Sequence, residues 1–259
     1  MVSRRLRFAR LHSQQKLTNK ALFTVAGVVL AGLIIIFSIF AWIAKDLPAP
    51  GKLSATSQSS TVFYDRDGKV LFELYKDRNR VPVSLNETSK YLQEATISIE
   101  DKNFYHHQGI SQTGIIRAFL SSFTGGGLQG GSTITQQLIK NVVLGSQQSI
   151  SRKIKEVILA VIVEKKYTKD QILELYLNEA PYGGSLWGIG SAAQGYFGKS
   201  PKDLTILESA FIAGLPQRPT YYSPFIGQKD AWKVRTKDVL RRMREDGYIT
   251  RKEETDSLA

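Results

Sequence analysis

The chain has 259 residues, which is enough for one membrane segment and one domain with a hydrophobic core of ordinary size. It contains no cysteine and only three histidines, which excludes a disulfide framework and thiolate metal sites. The formal net charge of +12 fits an anionic membrane surface, a phosphorylated ligand or nucleic acid, so the placement of the charges has to separate these classes.

Residues 1–20 form a basic tail that carries six arginines and lysines and no acid. The run 21–44 that follows has no charged residue, and as a helix it would span roughly 36 Å against a hydrocarbon core of about 30 Å. A cleaved signal peptide is the alternative, but its apolar core usually has only about 7 to 15 residues. We therefore predict a transmembrane helix over 21–44 with a cytoplasmic N-terminus, which makes the remainder extracytoplasmic and leaves no role for nucleic acid.

Residues 45–60 are rich in Pro, Gly, Ser and Ala and are predicted to be a linker. The folded domain is predicted over 61–247. It would open with a β-hairpin of Val62–Tyr64 and Val70–Leu74 around the turn Asp65–Gly68, with Val81–Val83 as an added edge strand. Beyond this hairpin the pattern is mainly helical, and strands are too few for a doubly wound sheet.

Several helix starts show the spacing of a capping box, in which a Ser or Thr precedes an acid or Gln by three residues. These pairs are Thr133 with Gln136, Thr168 with Gln171, Ser200 with Asp203, and Thr250 with Glu253. The helix from about Ser151 to Tyr167 contains an apolar run and is predicted to be buried on all sides. Residues 248–259 are predicted to begin a truncated C-terminal linker.

Two adjacent acids, Glu100 and Asp101, end an apolar helical stretch and face the loop that runs to Gly109. A carboxylate at such a position can be both ordered and accessible. A solvated helix end is the alternative, although acids at a helix C-terminus oppose the macrodipole and need another reason to lie there.

A glycine-rich segment leads into a capped helix over Gly130–Asn141. Gln137, Lys140 and Asn141 share one face of this helix by their i, i+3 and i+4 spacing, while apolar residues share another. The polar face could donate hydrogen bonds to hydroxyls or phosphate, or it could be an ordinary wet face.

At the start of the next helix, Arg152 and Lys153 lie one turn from Glu156. A structural salt bridge is one interpretation and is worth little when exposed. A buried cluster of two cations and one carboxylate would be costly without a function or a partner.

Taken together, these segments resemble the family 51 peptidoglycan glycosyltransferases over roughly Val62 to Met243. The resemblance rests on five segments, which match the family in order and spacing: Glu100-Asp101-x-x-Phe104-x-x-His107-x-Gly109; Gly130-x-Ser132-Thr133-x-Thr135-Gln136-Gln137-x-x-Lys140-Asn141; Arg152-Lys153-x-x-Glu156; Ile172-Leu173-Glu174-x-Tyr176-Leu177-Asn178; and Ala213-Gly214-Leu215-Pro216 through Pro224. We see no departure at the positions that the family implicates.

The resemblance implies a mainly α, lysozyme-like domain with a small N-terminal β-hairpin, preceded by one transmembrane helix. The apolar stretch Ile115–Phe123 would then dip into the outer leaflet, unless it is a buried helix that never meets lipid. The implied reaction is an inverting transfer that polymerises lipid II into glycan strands at the bacterial cytoplasmic membrane and releases undecaprenyl pyrophosphate.

The resemblance also implies roles for particular side chains. Glu100 would be the general base, and Glu156 would be a second catalytic residue that orients the cations or the donor sugar. The expected substrate-binding residues are Asp101, Ser132, Thr133, Gln136, Gln137, Lys140, Asn141, Arg152, Lys153 and Lys155. Among these, Asp101 would orient the loop, and the cations would hold the pyrophosphate.

The expected partners are lipid II, the growing glycan chain, membrane lipid and other proteins of cell-wall synthesis. No fixed cofactor is expected, and a divalent cation would at most be an accessory at the pyrophosphate. A muralytic hydrolase with two carboxylates is the rival enzyme, and a non-catalytic glycan-binding scaffold is the rival from another class. The cationic cluster argues against the hydrolase, because a neutral sugar leaving group needs no pyrophosphate clamp.

Overall fold

The computed structural model describes residues 20, 22–35, 37–38, 61–64, 66, 70–74, 81–111, 131–144 and 149–259. Two compact units are distinguished, residues 1–47 and residues 48–259. In the first unit, every described residue is helical, and nearly all of their side chains are exposed.

The predicted transmembrane helix lies only partly within the described residues, which include 22–35 and 37–38 of its 24 positions. None of the helices in the described ranges combines the length and the hydropathy of a membrane span. The basic tail before residue 20, the linker 45–60 and the apolar stretch Ile115–Phe123 all lie outside the described residues. These four assignments therefore stay predictions.

The predicted hairpin is confirmed. Strand β1 (Thr61–Tyr64) pairs antiparallel with strand β2 (Val70–Leu74). The predicted edge strand Val81–Val83 is wrong, because side chains of the helices take up its backbone groups. Val83 exchanges two hydrogen bonds with the Asn178 amide, at 2.9 and 2.8 Å, and the Val81 N–H donates to Ser191 Oγ at 3.1 Å.

Helices dominate the described residues of the second unit, which confirms the mainly α class. They are α1 (Lys90–Glu100), α2 (Ile134–Ile139), α3 (Ile150–Lys166), α4 (Lys169–Glu179), α5 (Ile189–Phe197), α6 (Ile206–Gly214), α7 (Pro219–Tyr222), α8 (Ala231–Glu245) and α9 (Arg251–Leu258). Single 3-10 turns lie at Leu85–Glu87, Phe104–His106 and Pro201–Asp203, and a π turn lies at Lys140–Leu144. A second hairpin of β3 (Pro181–Gly183) and β4 (Leu186–Trp187), which the sequence did not reveal, lies between α4 and α5.

The capping boxes at Thr168 and Thr250 are confirmed, with both reciprocal bonds present. The predicted box at Ser200 is wrong: Ser200 starts only a 3-10 turn, and its hydroxyl accepts from Lys202 N–H at 3.4 Å. The helix begins five residues later, at α6, where Thr205 and Glu208 form the complete box. Ser200 and Asp203 have the spacing of a capping box, but the pair that forms one, Thr205 and Glu208, lies about one turn further along the chain.

The core of the second unit has two parts. Helices α1, α6 and α8 pack on one another, and α2 packs against α3 and α4. Leu92 and Ala95 of α1, Leu138 of α2 and Leu173 of α4 are fully buried in this core. Helix α3 is buried on one face only, since Ile162 in the middle of its apolar run is 38% exposed, so the prediction of burial on all sides is wrong.

Candidate active site

A cleft of about 990 Å³ lies where the C-terminus of α1, the N-terminus of α2 and the inner face of α8 meet. Its lining contains eight of the predicted site residues, namely Glu100, Asp101, Ser132, Thr133, Gln136, Gln137, Lys140 and Glu156. The lining also includes Arg218, Tyr222, Arg235, Asp238, Arg241 and Arg242. Segments that are far apart in sequence therefore converge on one polar cleft.

Glu100 is the last residue of α1, and its side chain is only 8% exposed. Burial raises the pKa of Glu100, while the hydrogen bond from Gln137 and the charges of Arg235, Lys140 and Arg242 act in the opposite direction. Oε2 accepts from Gln137 Nε2 at 2.6 Å, whereas Oε1 is buried and has no hydrogen-bond partner. The carboxylate is thus held by one oxygen and has a lone pair left on the other, as a general base requires.

Behind Glu100, the Gln137 amide is held from its other side. Its Oε1 accepts from the Tyr176 hydroxyl at 3.4 Å, and Tyr176 is only 1% exposed. Burial and the nearby Glu100 charge raise the pKa of Tyr176 well above its ordinary value, so this hydroxyl is a donor at neutral pH. Tyr176 was noted in the sequence only as part of a motif, but a buried tyrosine needs a partner for its hydroxyl, and that need is a usable signal.

Arg235 on α8 is a site residue that the sequence reasoning missed. It is 9% exposed, and its Nη2 lies 3.9 Å from Glu100 Oε1. Its Nε donates to the carbonyl of Gly214 at 3.3 Å. Arg235 occupies the same apolar stripe as Val239 and Met243, by i, i+4, i+8 spacing, and an arginine on such a stripe was the available signal.

Asp101 binds the loop that follows α1 and the start of α2. Its carboxylate accepts from Ile134 N–H at 3.1 Å and from His107 Nε2 at 2.8 Å. Because His107 Nδ1 accepts from Gly109 N–H at 3.1 Å, the ring proton lies on Nε2, which donates to Asp101. Asp101 thereby fixes the loop to the N-terminus of α2, where a negative charge is also favourable. Its predicted contact with substrate stays a prediction.

Thr133 and Gln136 also hold this loop. Thr133 caps α2 by accepting from Gln136 N–H at 3.2 Å, and its hydroxyl donates to the Gly109 carbonyl at 2.9 Å. The Gln136 amide reaches the same carbonyl at 3.4 Å instead of closing a capping box. Both side chains are almost fully buried, at 1% and 4% exposed, so their hydrogen bonds are mainly with the protein.

A charged cluster at the start of α3 surrounds Glu156, which is only 2% exposed. Its carboxylate lies 3.1 Å from Arg152 Nε and 2.9 Å from Lys153 Nζ. Lys153 also contacts the start of α2. Its Nζ donates to Ser132 Oγ, just before the helix, at 2.8 Å and to Gln136 Oε1 at 3.3 Å. Glu156 therefore contacts two cations, and its predicted catalytic role stays a prediction.

Lys140 connects this cluster to Glu100. Burial lowers the pKa of Lys140, and the nearby carboxylates of Glu156 and Glu100 act in the opposite direction. An anion bound in the cleft would add a further favourable charge for this partly desolvated ammonium group.

Four of the predicted site residues, Asn141, Arg152, Lys153 and Lys155, do not line the cleft, although Arg152 and Lys153 contact Glu156, which does. Asn141 lies within the π turn that begins at Lys140, and the π turn changes the phase of the side chains that follow it. No group of three or more His, Asp or Glu side chains placed to hold a metal occurs within the described ranges. The substrate-binding roles of Asn141, Arg152, Lys153 and Lys155 stay predictions.

Comparison with known proteins yields one family and several relatives. The family model described as Transglycosylase matches residues 67–244. Penicillin-binding protein 1A of Rickettsia bellii is 43% identical over 233 residues, covering 87% of this chain and 29% of that protein. Penicillin-binding protein 1A of Escherichia coli is 40% identical over 227 residues, covering 87% of this chain and 26% of that protein.

Among solved structures, penicillin-binding protein 1A from Haemophilus influenzae aligns with a TM-score of 0.45 and 26% identity, covering 78% of this chain and 20% of that one. The chain spans less than a third of the length of the curated relatives named here, 29% and 26%.

Proposed function

Since the chain belongs to the transglycosylase family, the peptidoglycan glycosyltransferases, we propose that its cleft polymerises lipid II into linear glycan strands for bacterial cell-wall synthesis. One observation carries the proposal. Glu100 presents a buried carboxylate oxygen without a hydrogen-bond partner in a cleft that also contains Lys140 and Glu156, and Glu156 pairs with Lys153. A base beside an anion-binding cluster is what this transfer needs.

The proposed step is an inverting displacement at the anomeric carbon of the donor sugar. The 4-hydroxyl oxygen of the acceptor disaccharide forms the new bond to that carbon, and the bond from the carbon to the pyrophosphate oxygen breaks. The bonding electrons leave with undecaprenyl pyrophosphate, and the hydroxyl proton passes to Glu100, which later releases it to solvent.

The burial that raises the pKa of Glu100 strengthens it as a base for this proton. Lys140, Arg152 and Lys153 would bind the pyrophosphate and stabilise the charge that develops on it. Glu156 would keep Arg152 and Lys153 in place, as its distances of 3.1 and 2.9 Å to them suggest. We propose that a divalent cation, where it contributes, binds the pyrophosphate oxygens as an accessory.

The other carboxylates of the cleft favour a transferase over a hydrolase that needs an acid and a base. Each of them is held by cations or N–H groups of neighbouring residues. These pairs are Asp101 with His107 and Ile134, Glu156 with Arg152 and Lys153, Asp238 with Arg235 and Arg241, Glu245 with Arg241, and Asp246 with Lys102. Glu100 would thus work without a second free carboxyl group as partner.

We also propose that the N-terminal run anchors the domain in the cytoplasmic membrane with the cleft on the outer side, so that lipid-linked substrates reach it from the bilayer. The basic tail and apolar run of the sequence support this location. Protease accessibility of the domain in spheroplasts, compared with inverted vesicles, tests it.

The test of the activity is polymerisation of fluorescent lipid II in detergent, with products resolved by length. The wild-type chain is expected to form long glycan, and a folded Glu100→Gln variant to form essentially none. Shortening of preformed glycan without polymerisation would replace the transferase with a hydrolase. Polymerisation by Glu100→Gln at the wild-type rate would remove Glu100 as the base.

A further inference from the structure

The two carboxylate oxygens of Glu100 have different surroundings. Oε2 receives a short hydrogen bond of 2.6 Å from Gln137 Nε2. Oε1 is buried and has no hydrogen-bond donor, and its ion-pair contact with Arg235 Nη2 is long, at 3.9 Å. The oxygens therefore differ in basicity, because a hydrogen bond to the charged form lowers the proton affinity of the atom that accepts it.

The orientation of the Gln137 amide is determined by its two neighbours. A carboxylate only accepts, so the NH₂ group of the amide has to face Glu100. The amide oxygen then faces Tyr176, whose hydroxyl donates to it at 3.4 Å. If the amide were turned over, its oxygen would face the carboxylate of Glu100, and the two acceptors would repel each other.

We infer that Gln137 is a positioning residue for the base, that Tyr176 fixes its amide, and that Oε1 is the oxygen of Glu100 that takes the acceptor's proton. The inference rests on the proposed function and deepens it. It also gives Gln137 a role different from the substrate contact that the sequence predicted, because both polar atoms of its amide are engaged with protein groups.

The test compares Gln137→Met, which keeps the length of the side chain without its hydrogen bonds, with Tyr176→Phe. Tyr182→Phe is the matched control, since Tyr182 is also 1% exposed but its hydroxyl contacts the Leu177 carbonyl at 3.5 Å and not the amide. Each full-length variant is assayed for kcat and KM of lipid II polymerisation across pH.

Gln137→Met is expected to lower kcat about tenfold to a hundredfold at neutral pH with little change in KM, because it removes a hydrogen bond to a charged group. Its acid limb should move to higher pH, since the bond that favours the ionised Glu100 is gone. Tyr176→Phe should show the same shift with a loss of up to about tenfold, and Tyr182→Phe should stay within about twofold of wild type. In the double variant the two losses should not add.

A raised KM with an unchanged pH profile in Gln137→Met would overturn the inference and return Gln137 to the substrate-binding residues. Tyr176→Phe with a wild-type profile would remove Tyr176 from it. A wild-type chain that forms no polymer would contradict the proposed function and the proton transfer to Oε1, but not the positioning of Glu100 by Gln137 and Tyr176. In that case, a ¹³C NMR titration of the Glu100 carboxyl, assigned with Glu100→Gln, still measures whether Gln137→Met raises its pKa.

Discussion

Replacing Asp101 with Asn tests whether this carboxylate holds the scaffold or touches substrate. Asp101 is 8% exposed and accepts from Ile134 N–H and His107 Nε2–H. Both hydrogen bonds end on Oδ2, and Oδ1 lies 3.0 Å from His107 Nε2, so an asparagine that keeps its oxygen in the Oδ2 position turns its NH₂ group against the His107 N–H. His107 cannot adapt by moving its proton to Nδ1, because that atom would then face the Gly109 N–H, 3.1 Å away.

The two bonds to Oδ2 therefore lose the negative charge that strengthens them, and the contact between His107 and the Oδ1 position becomes repulsive, at a combined cost of about 1.5–3 kcal/mol. We expect Asp101→Asn to lower the free energy of unfolding by this amount, and Asp101→Ala, which loses both bonds, by about 3–6 kcal/mol. Urea unfolding of the full-length chain in detergent measures these changes. Asp256→Asn, an exposed position on α9, is the matched control and should stay within about 0.5 kcal/mol. Unchanged unfolding of Asp101→Asn together with a raised KM would refute this reasoning and support a substrate contact.

Three further predictions concern pH, a glycine and a helix cap. Burial raises the pKa of Glu100, so the stability that the protonated side chain contributes is complete below the ordinary glutamate pKa and is lost as pH rises through the folded-state value. Glu100→Gln, which stays neutral, should therefore need more urea than wild type to unfold at pH 7. This difference should vanish near pH 3. Gly109→Ala should cost at least about 2 kcal/mol in urea unfolding, since φ is +84° and the new Cβ would lie 2.8 Å from the backbone of Ala160. Thr205→Ala should lower stability by about 1 kcal/mol, measured as a lower Tm, because the capping box with Glu208 is lost.

Local signals predicted much of this fold. Thr168 and Thr250 begin helices where the spacing of their capping partners indicated, and the first hairpin follows its turn. These features depend on residues that are close together in the sequence, so the local pattern contains nearly all of the information that specifies them. The edge strand Val81–Val83 failed because its backbone partners, Asn178 and Ser191, lie about a hundred residues away, where no periodicity points to them.

The same distinction between local and tertiary information applies to the residues of the candidate site. The sequence placed Glu100, Gln137 and Lys140 together through the resemblance, and they line one cleft. It missed Arg235 because a basic helix usually presents its arginines to solvent, and only the tertiary packing of α8 against α1 turns this one inward. Asn141 was expected on the same helix face as Lys140, but a π turn, which changes the phase of the side chains that follow, begins at Lys140, and Asn141 does not line the cleft. No residue type in that segment predicts a π turn.

The position of Glu100 explains an oddity of the sequence. An acid at the C-terminus of a helix faces the negative end of the macrodipole, and burial adds a second cost to its charge. The nearby cations Arg235, Lys140 and Arg242 and the hydrogen bond from Gln137 offset these costs only in part, since the pKa of Glu100 remains raised. A protein that needed only stability would place a neutral residue there. This remaining cost of ionising Glu100 supports the proposal that the residue is present for its proton affinity. It also predicts that neutral replacements stabilise the fold while they abolish the proposed reaction.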